Sequence, residues 1–197
     1  MIGSLRWLVA GSSGLLTMLA VVTVLAGPAR ADVDGFAVGD SVMLGAQWVL
    51  HHRGFEVDAQ KSRQAGAGPS VLRKQGSGLQ SAVVVHLGTN GVFPAETCDR
   101  LVDQVGTKRT LFLVTVKVPR SWERSNNRTI RDCATRFDNV RIVDWNLEAT
   151  RHPEWLYDDG VHLRPEGAKA FARLISRAVR SAQDQQDQQG QQGDVPR

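Results

Sequence analysis

The chain has 197 residues, of which 42% are hydrophobic and 22% are charged, and its 24 basic and 20 acidic side chains give a formal net charge of +4. A nucleic-acid-binding surface would need clustered basic side chains interleaved with aromatic ones. Four arginines come nearest to a basic cluster, and the solvated face of a helix explains them: Arg120, Arg124, Arg128 and Arg131. No internal repeat is visible.

Residues 1–31 have the pattern of a secretory signal. Arg6 precedes an apolar stretch from Trp7 to Ala26, and Ala29-Arg30-Ala31 has the small-x-small form of a cleavage site. An uncleaved membrane anchor is the alternative, because the apolar stretch approaches the length that spans a bilayer. We favour removal, which takes two arginines away, lowers the formal charge from +4 to +2 and leaves a secreted or extracytoplasmic protein.

Residues 32–180 have the length of one domain and alternate short strands with helical segments. We predict strands over residues 35–38, 55–58, 82–87, 111–118 and 140–144. We predict helices over residues 41–53, 96–105, 124–137 and 165–179. Strands separated by helices imply right-handed crossovers and a parallel sheet covered on both faces. The predicted fold class is α/β, a three-layer α/β/α arrangement around a mostly parallel five-stranded sheet.

Residues 181–197 form a tail rich in Gln, Asp and Gly. This composition has no apolar period, so the tail cannot bury enough surface to offset the entropy lost on ordering. We predict that it is disordered.

The chain contains two cysteines, Cys98 and Cys133. In an oxidising compartment the default prediction is one disulfide, which would stabilise the fold by roughly 4 kcal/mol on the chain-entropy model. Two free buried thiols remain the alternative. Neither the cysteines nor the adjacent His51 and His52 have the spacing of metal ligands, so we expect no metal site.

Chemically suggestive residues follow several predicted strands at their carboxyl ends, where ligands gather in open α/β sheets. Ser41 follows the first strand at a helix start, where free N–H groups and the helix dipole favour negative charge. Gly88-Thr89-Asn90-Gly91 follows the third strand, and Asp159 and His162 lie in the loop before the last helix.

Ser41, His162 and Asp159 have the residue types of a serine-enzyme constellation. A serine hydroxyl is a poor nucleophile until an imidazole takes its proton, and a carboxylate fixes the tautomer of that imidazole. Asp159 and His162 are three residues apart, so one tight turn can present both; Asp158 is the alternative carboxylate. The plainer alternatives are a helix cap for Ser41, a turn residue for Asn90 and a structural turn for Asp159 and His162.

Gly39-Asp40-Ser41, Gly88-Thr89-Asn90 and Asp159-x-x-His162, in this order, resemble the motifs of the SGNH (GDSL-type) hydrolases. The longer string Asp159-Gly160-Val161-His162-Leu163 is most similar to the extracytoplasmic SGNH domain of bacterial peptidoglycan O-acetyltransferases. The resemblance covers residues 32–180 and implies a flavodoxin-like fold that needs no cofactor.

The resemblance also implies roles for single residues. Ser41 would attack an ester carbonyl, His162 would transfer its proton and Asp159 would orient His162. An oxyanion hole would use the backbone N–H groups of Ser41 and Ser62 and the side-chain amide of Asn90. Ser62 stands where the family usually has a glycine. Three further residues are candidate substrate contacts: Arg63, Gln64 and Trp122.

Three functions fit these observations. We favour a secreted serine esterase that cleaves short-chain O-acyl esters, acetyl esters above all, on cell-wall carbohydrate. The alternatives are an O-acetyltransferase that transfers acetyl to a saccharide hydroxyl through the same acyl-Ser41 intermediate, and a non-catalytic carbohydrate-binding module. We expect an O-acylated carbohydrate as the substrate, association with the cell wall and a monomer, and we expect no nucleic acid, metal or cofactor.

Overall fold

The computed structural model describes residues 33–193, with side chains as far as residue 189. The predicted signal over residues 1–31 lies outside the described residues. Within residues 33–193, no helix combines the length and the hydrophobicity that crossing a membrane requires.

A five-stranded parallel sheet forms the centre of the domain. Its strands are β1 (Gly35–Gly39), β2 (Phe55–Ala59), β3 (Ala82–His86), β4 (Thr110–Val114) and β5 (Val140–Val143). They lie in the order β2-β1-β3-β4-β5, and every neighbouring pair is parallel. The continuous apolar runs of β3 and β4 suit strands that are buried on both faces. The predicted α/β fold class is confirmed.

Helices cover both faces of this sheet. One face carries α1 (Ser41–His51), α5 (Trp145–Arg151) and α6 (Pro165–Gly193), and the other carries α2 (Gly68–Gln75), α3 (Ala95–Val105) and α4 (Glu123–Arg136). Side chains alternate along a strand, so Val84 of β3 packs in the core beneath α1, α5 and α6. Val83 and Val85 pack in the core beneath α2, α3 and α4.

The structure has two helices that were not predicted, and one strand ends earlier than predicted. Helices α2 and α5 were not predicted; they are short, with eight and seven residues. Strand β4 ends at Val114, opposite the end of β5 at Val143, whereas the sequence predicted a strand to residue 118. Beyond that point, Asn127 satisfies both backbone polar groups of Val116, so the chain stays ordered without a strand partner.

Helix α6 continues to Gly193, so the disorder predicted from residue 181 does not describe this segment as far as Gly193. Ala182 packs against the core, and Gln186 donates a hydrogen bond to Thr110 at 3.3 Å. Alanine and glutamine are good helix formers, and these contacts supply tertiary support that the composition of the tail alone does not reveal.

Cys98 and Cys133 form a disulfide that joins α3 to α4, with their Cα atoms 6.1 Å apart. Both residues are fully buried in the core beneath α2, α3 and α4. The bond therefore fastens two neighbouring helices of one layer.

Candidate active site

Ser41 is the first residue of α1 and lies just beyond the carboxyl end of β1. The chain turns into the helix here because Asp40 is the N-cap: its Oδ1 accepts a hydrogen bond from the Val42 N–H at 3.0 Å. The Ser41 hydroxyl thus stands at the positive end of a helix dipole, next to backbone N–H groups without helical partners.

A buried polar cluster holds this turn in place. Asp40 is fully buried and accepts a hydrogen bond from the Thr89 hydroxyl at 2.5 Å, and His86 Nδ1 lies 3.5 Å from its Oδ1. Burial raises the pKa of the Asp40 carboxyl. The neighbouring His86 and the hydrogen bonds from Thr89 and Val42 lower it by more, so the pKa lies below its ordinary value. The cluster ties the start of α1 to the end of β3.

Asp159, His162 and Ser41 form a continuous hydrogen-bonded chain. His162 Nδ1 lies 2.6 Å from Asp159 Oδ2, and His162 Nε2 lies 3.0 Å from Ser41 Oγ. The structure therefore unites two residues of one loop with a third that lies far away in the sequence. This is the geometry in which an imidazole accepts a serine proton.

The loop that carries the acid and the imidazole is a closed turn. An antiparallel bridge joins Leu156 to Leu163, and the Tyr157 N–H donates to the His162 carbonyl at 2.8 Å. Asp159 Oδ1 accepts the backbone N–H groups of Val161 and His162 at 2.9 and 3.0 Å. These bonds orient the carboxylate so that its second oxygen faces the imidazole.

Asp159 is the ionised partner of this pair. Desolvation raises its pKa, but the hydrogen bonds from the His162 ring and from the backbone N–H groups of His162 and Val161 outweigh that effect and lower the pKa to about 2. An ionised carboxylate only accepts hydrogen bonds, so Nδ1 carries a hydrogen, and in the neutral imidazole Nε2 then faces Ser41 as an acceptor. Asp158, the alternative carboxylate, instead pairs with Arg164 at 2.9 Å.

Two of the three predicted oxyanion donors lie at one cavity. Ser41 and Asn90 both line a cleft of about 360 Å³, together with Asp159 and His162. Asn90 Nδ2 donates to Thr89 Oγ1 at 3.2 Å. Ser62 is not among the residues lining this cleft, and its φ of +57° is a left-handed conformation that glycine adopts most easily.

Arg63 and Gln64 contact the protein instead of the cleft. The Arg63 guanidinium donates to the Gly39 carbonyl at 3.1 Å and pairs with Asp58, and only 7% of its side chain is exposed. Gln64 Nε2 donates to the Asn90 carbonyl at 2.7 Å. Both side chains are hydrogen bonded within the loops that flank Ser41 and Asn90, and their contact with a substrate stays a prediction.

Trp122 does line the cleft, as do Val118, Pro119 and Arg120 of the segment before α4. Its Nε1 is buried and has no hydrogen-bond partner among the described residues. Trp122 therefore supplies an apolar wall whose one polar atom is unsatisfied by the protein.

Two residues of α4 that sequence reasoning missed hold the loops of the site. Asn126 is fully buried; its Nδ2 donates to the carbonyls of Gly88 and Gly91, and its Oδ1 accepts from the Phe93 N–H. Asn127 binds both backbone groups of Val116 in the same way. The available signal was a pair of asparagines on the buried face of a predicted helix.

The arrangement joins a nucleophile, a base and an orienting acid in an open cleft. The side chains of His162 and Asp159 are about half exposed, at 49% and 48%, so water reaches them. Within residues 33–189, no three His, Cys, Asp or Glu side chains are grouped to hold a metal ion. The site can therefore support acyl transfer from an ester to a hydroxyl or to water through the serine.

No protein-family model matches the sequence. The chain is 37% identical over 158 residues to YrhL of Bacillus subtilis, whose name describes a candidate peptidoglycan O-acetyltransferase; the match covers 78% of this chain and 25% of YrhL. It is 33% identical over 149 residues to the O-acetyltransferase OatA of Staphylococcus aureus, a match that covers 73% of this chain and 24% of OatA. The chain thus spans about a quarter of the length of these curated relatives.

Solved structures of similar fold include acyltransferase and esterase domains. The C-terminal catalytic domain of Streptococcus pneumoniae peptidoglycan O-acetyltransferase A, solved with a methylsulfonyl adduct, has a TM-score of 0.69 and 26% identity, with 78% of this chain and 97% of that domain covered. A family 3 carbohydrate esterase from Talaromyces cellulolyticus has a TM-score of 0.60 and 15% identity, with 76% and 97% covered, and shows a shared fold.

Proposed function

This chain belongs to the SGNH hydrolase family and is homologous to peptidoglycan O-acetyltransferases, and we propose that it is a serine esterase that cleaves short-chain O-acyl esters, acetyl esters above all, on cell-wall carbohydrate. The observation that carries the proposal is the hydrogen-bonded chain from Asp159 through His162 to Ser41, with separations of 2.6 and 3.0 Å.

The reaction proceeds through an acyl-serine. Ser41 Oγ attacks the ester carbonyl while His162 Nε2 takes its proton, and the negative charge on the carbonyl oxygen is met by the Ser41 N–H and the Asn90 amide. The carbon–oxygen bond to the alcohol then breaks, and His162 returns the proton to the leaving alkoxide. Water attacks the acyl-enzyme in the second half, with His162 again as the base, and releases the carboxylic acid and free Ser41.

Hydrolysis and transfer differ only in the acceptor of the acyl group. The half-exposed side chains of His162 and Asp159 favour water as the acceptor, because nothing in the described part of the site shields them from solvent. The relatives favour a sugar hydroxyl, since those with matching sequence are acetyltransferases. We place hydrolysis first and keep transfer to a saccharide hydroxyl as the second candidate function.

Such a substrate places the protein outside the cytoplasm. The apolar segment before residue 32 supports export, either with cleavage or as a retained anchor. The expected monomer and the association with the cell wall are parts of the same proposal.

Ser41→Ala tests the mechanism. We expect this variant to lose at least about 10³-fold in kcat for a short-chain aryl acetate, because the acyl-enzyme can no longer form. Mass spectrometry of wild-type protein mixed with the ester should show the mass of one added acetyl group, which Ser41→Ala should lack. Ser181→Ala, the same substitution at an exposed position on α6, is the matched control. Full turnover by a folded Ser41→Ala protein would refute the serine mechanism.

A partition experiment separates the two candidate reactions. The acyl-enzyme is formed from an aryl acetate in the presence and absence of peptidoglycan-derived saccharides, and released acetate is compared with acetylated saccharide. Release mainly as acetate supports hydrolysis. Formation of acetylated saccharide well above the rate of hydrolysis would reverse the order of the two functions.

A further inference from the structure

A second cavity lies on the other side of the turn that carries Asp159 and His162. Its volume is about 740 Å³, against about 360 Å³ for the cleft at Ser41. The residues that matter for its chemistry are Lys117, Thr150, Tyr157, Asp158, Gly160 and Arg164. None of them takes part in the reaction described above.

The two cavities share one wall. Within the turn, Asp159, Val161 and His162 line the first cavity, and Tyr157, Asp158 and Gly160 line the second. At the divide, Gly160 has a φ of +69°, and a Cβ added there would lie 3.5 Å from Cγ of Pro119, which lines the first cavity. Gly160 of the second cavity and Pro119 of the first are thus close together, and the two cavities are neighbours.

The second cavity presents an aromatic ring in a fixed position. About half of Tyr157 is exposed, at 49%, and the Arg164 guanidinium lies 4.9 Å from the centre of its ring. Arg164 is itself fixed, because it donates to the Leu156 carbonyl at 2.7 Å and pairs with Asp158. The ring is thus supported by a cation while the rest of it faces solvent.

Polar groups beside this ring lack hydrogen-bond partners. Among the described residues, neither the Tyr157 hydroxyl nor Lys117 Nζ makes a hydrogen bond, and Lys117 Nζ forms an ion pair with Glu123 at 3.8 Å. Ala149 and Leu156 add apolar surface to the lining. An aromatic ring, a tyrosine hydroxyl, a lysine ammonium group and an apolar wall together suit a sugar, which has an apolar ring face and a rim of hydroxyls.

We propose that this second cavity binds the saccharide units of a polymeric substrate that lie beyond the ester-bearing sugar. This inference rests on the proposed function, because it takes the reacting ester to be held at Ser41. It assigns to Tyr157 and Lys117 the recognition of a carbohydrate chain, and it explains why a turn that serves catalysis also carries an exposed aromatic residue on its other side.

Binding is tested without catalysis in a Ser41→Ala background. The probe is a tetrasaccharide of alternating N-acetylglucosamine and N-acetylmuramic acid, and its Kd is measured by calorimetry. We expect Tyr157→Ala to weaken binding by about tenfold and Lys117→Ala by several-fold, and we expect Tyr157→Phe, which keeps the ring, to recover most of the loss. Trp48→Ala removes an exposed aromatic side chain of α1 and is the matched control. The inference is overturned if the Ser41→Ala protein does not bind the tetrasaccharide. It is also overturned if Tyr157→Ala and Lys117→Ala bind it as tightly as the Ser41→Ala protein does.

Kinetics with Ser41 intact give a second readout. We expect Tyr157→Ala to lower the ratio of kcat/KM for O-acetylated glycan chains to kcat/KM for an aryl acetate by about tenfold, mainly through KM. An equal loss on both substrates would mean that the substitution disturbs the catalytic turn, which contradicts the proposed role. Turnover that survives Ser41→Ala would refute the serine mechanism while the calorimetric comparison still decides the role of the cavity.

Discussion

At the scale of single residues, the site depends on how Asp159 divides its two oxygens. One oxygen accepts two backbone N–H groups of its own turn and the other faces the His162 ring. The carboxylate therefore fixes both the shape of the turn and the orientation of the base. A single carboxylate can serve both purposes because its two oxygens offer about four lone-pair sites.

The pKa of Asp159 provides a direct measurement of this arrangement. We expect a ¹³C NMR titration of its carboxyl to have a midpoint of about 2, below the ordinary value of 3.8. Because the pKa is depressed in the folded state, the interaction stabilises the fold above about pH 4 and is lost as the pH falls through the interval between these values. In His162→Ala the midpoint should rise towards 3.8, since the ring hydrogen bond is removed. An unchanged midpoint in that variant would show that His162 does not hold the carboxylate.

Ser62 shows how a residue-level departure from the family pattern is accommodated. It has the positive φ that glycine adopts without strain, and a serine at this conformation costs of the order of 1 kcal/mol or more. The backbone thus keeps the glycine-like shape of the loop although the residue has changed. Its N–H remains a proposed oxyanion donor, while Arg63 next to it anchors the loop to β1 and β2.

At the scale of elements, helix α4 positions two loops that approach the site. Asn126 binds the segment from Gly88 to Phe93, which contains Asn90, and Asn127 binds Val116 in the segment that leads to Pro119. Both side chains are buried, so their hydrogen bonds replace those that the loop backbones would otherwise lack.

A pair of substitutions in α4 separates stability from catalysis. We expect Asn126→Ala and Asn127→Ala each to lower the free energy of unfolding by about 2 to 4 kcal/mol, because each leaves buried backbone groups unpaired. Asn126→Ala should also lower kcat for an aryl acetate by about tenfold or more, since the turn that holds the Asn90 donor loses its support. Asn127→Ala is the matched control. Equal kcat losses in folded samples of both variants would show that Asn126 has no special relation to Asn90.

At the scale of the whole molecule, the disulfide restricts the unfolded chain more than it shapes the site. Cys98 and Cys133 are 35 residues apart in sequence, and they join α3 to α4 in the layer opposite α1 and α6. Closing a loop of this size lowers the entropy of the unfolded state, which raises the free energy of that state by roughly 4 kcal/mol on the chain-entropy model.

Removal of both cysteines should therefore affect stability more than activity. We expect Cys98→Ala/Cys133→Ala to lose up to about 4 kcal/mol of unfolding free energy, and we expect the folded fraction to keep its kcat for an aryl acetate. Denaturant unfolding with and without a reducing agent measures the first quantity and provides its own control, because only the wild type should respond to the reductant. A wild type indifferent to reduction would show that the bond contributes nothing.

The sequence determined the fold class, the order of the strands along the chain and the residues that lie at their carboxyl ends. Apolar runs such as Val83-Val84-Val85 and the loops after them are local features, so a reader of the sequence can recognise them. The residue types of Ser41, Asp159 and His162, with a spacing of three between the last two, likewise predict a serine chemistry.

The tertiary structure alone decided which side chains meet and which are used elsewhere. The 3.0 Å contact between Ser41 and His162 follows from the packing of distant elements, and the burial of Arg63 against Gly39 follows from a loop conformation that no periodicity encodes. The hydrogen bond from Asn126 to Gly91 and the extension of α6 to Gly193 likewise depend on partners far away in the sequence. The physical reason is the same throughout: local propensity depends on near neighbours in the chain, whereas hydrogen bonds and burial depend on neighbours in space.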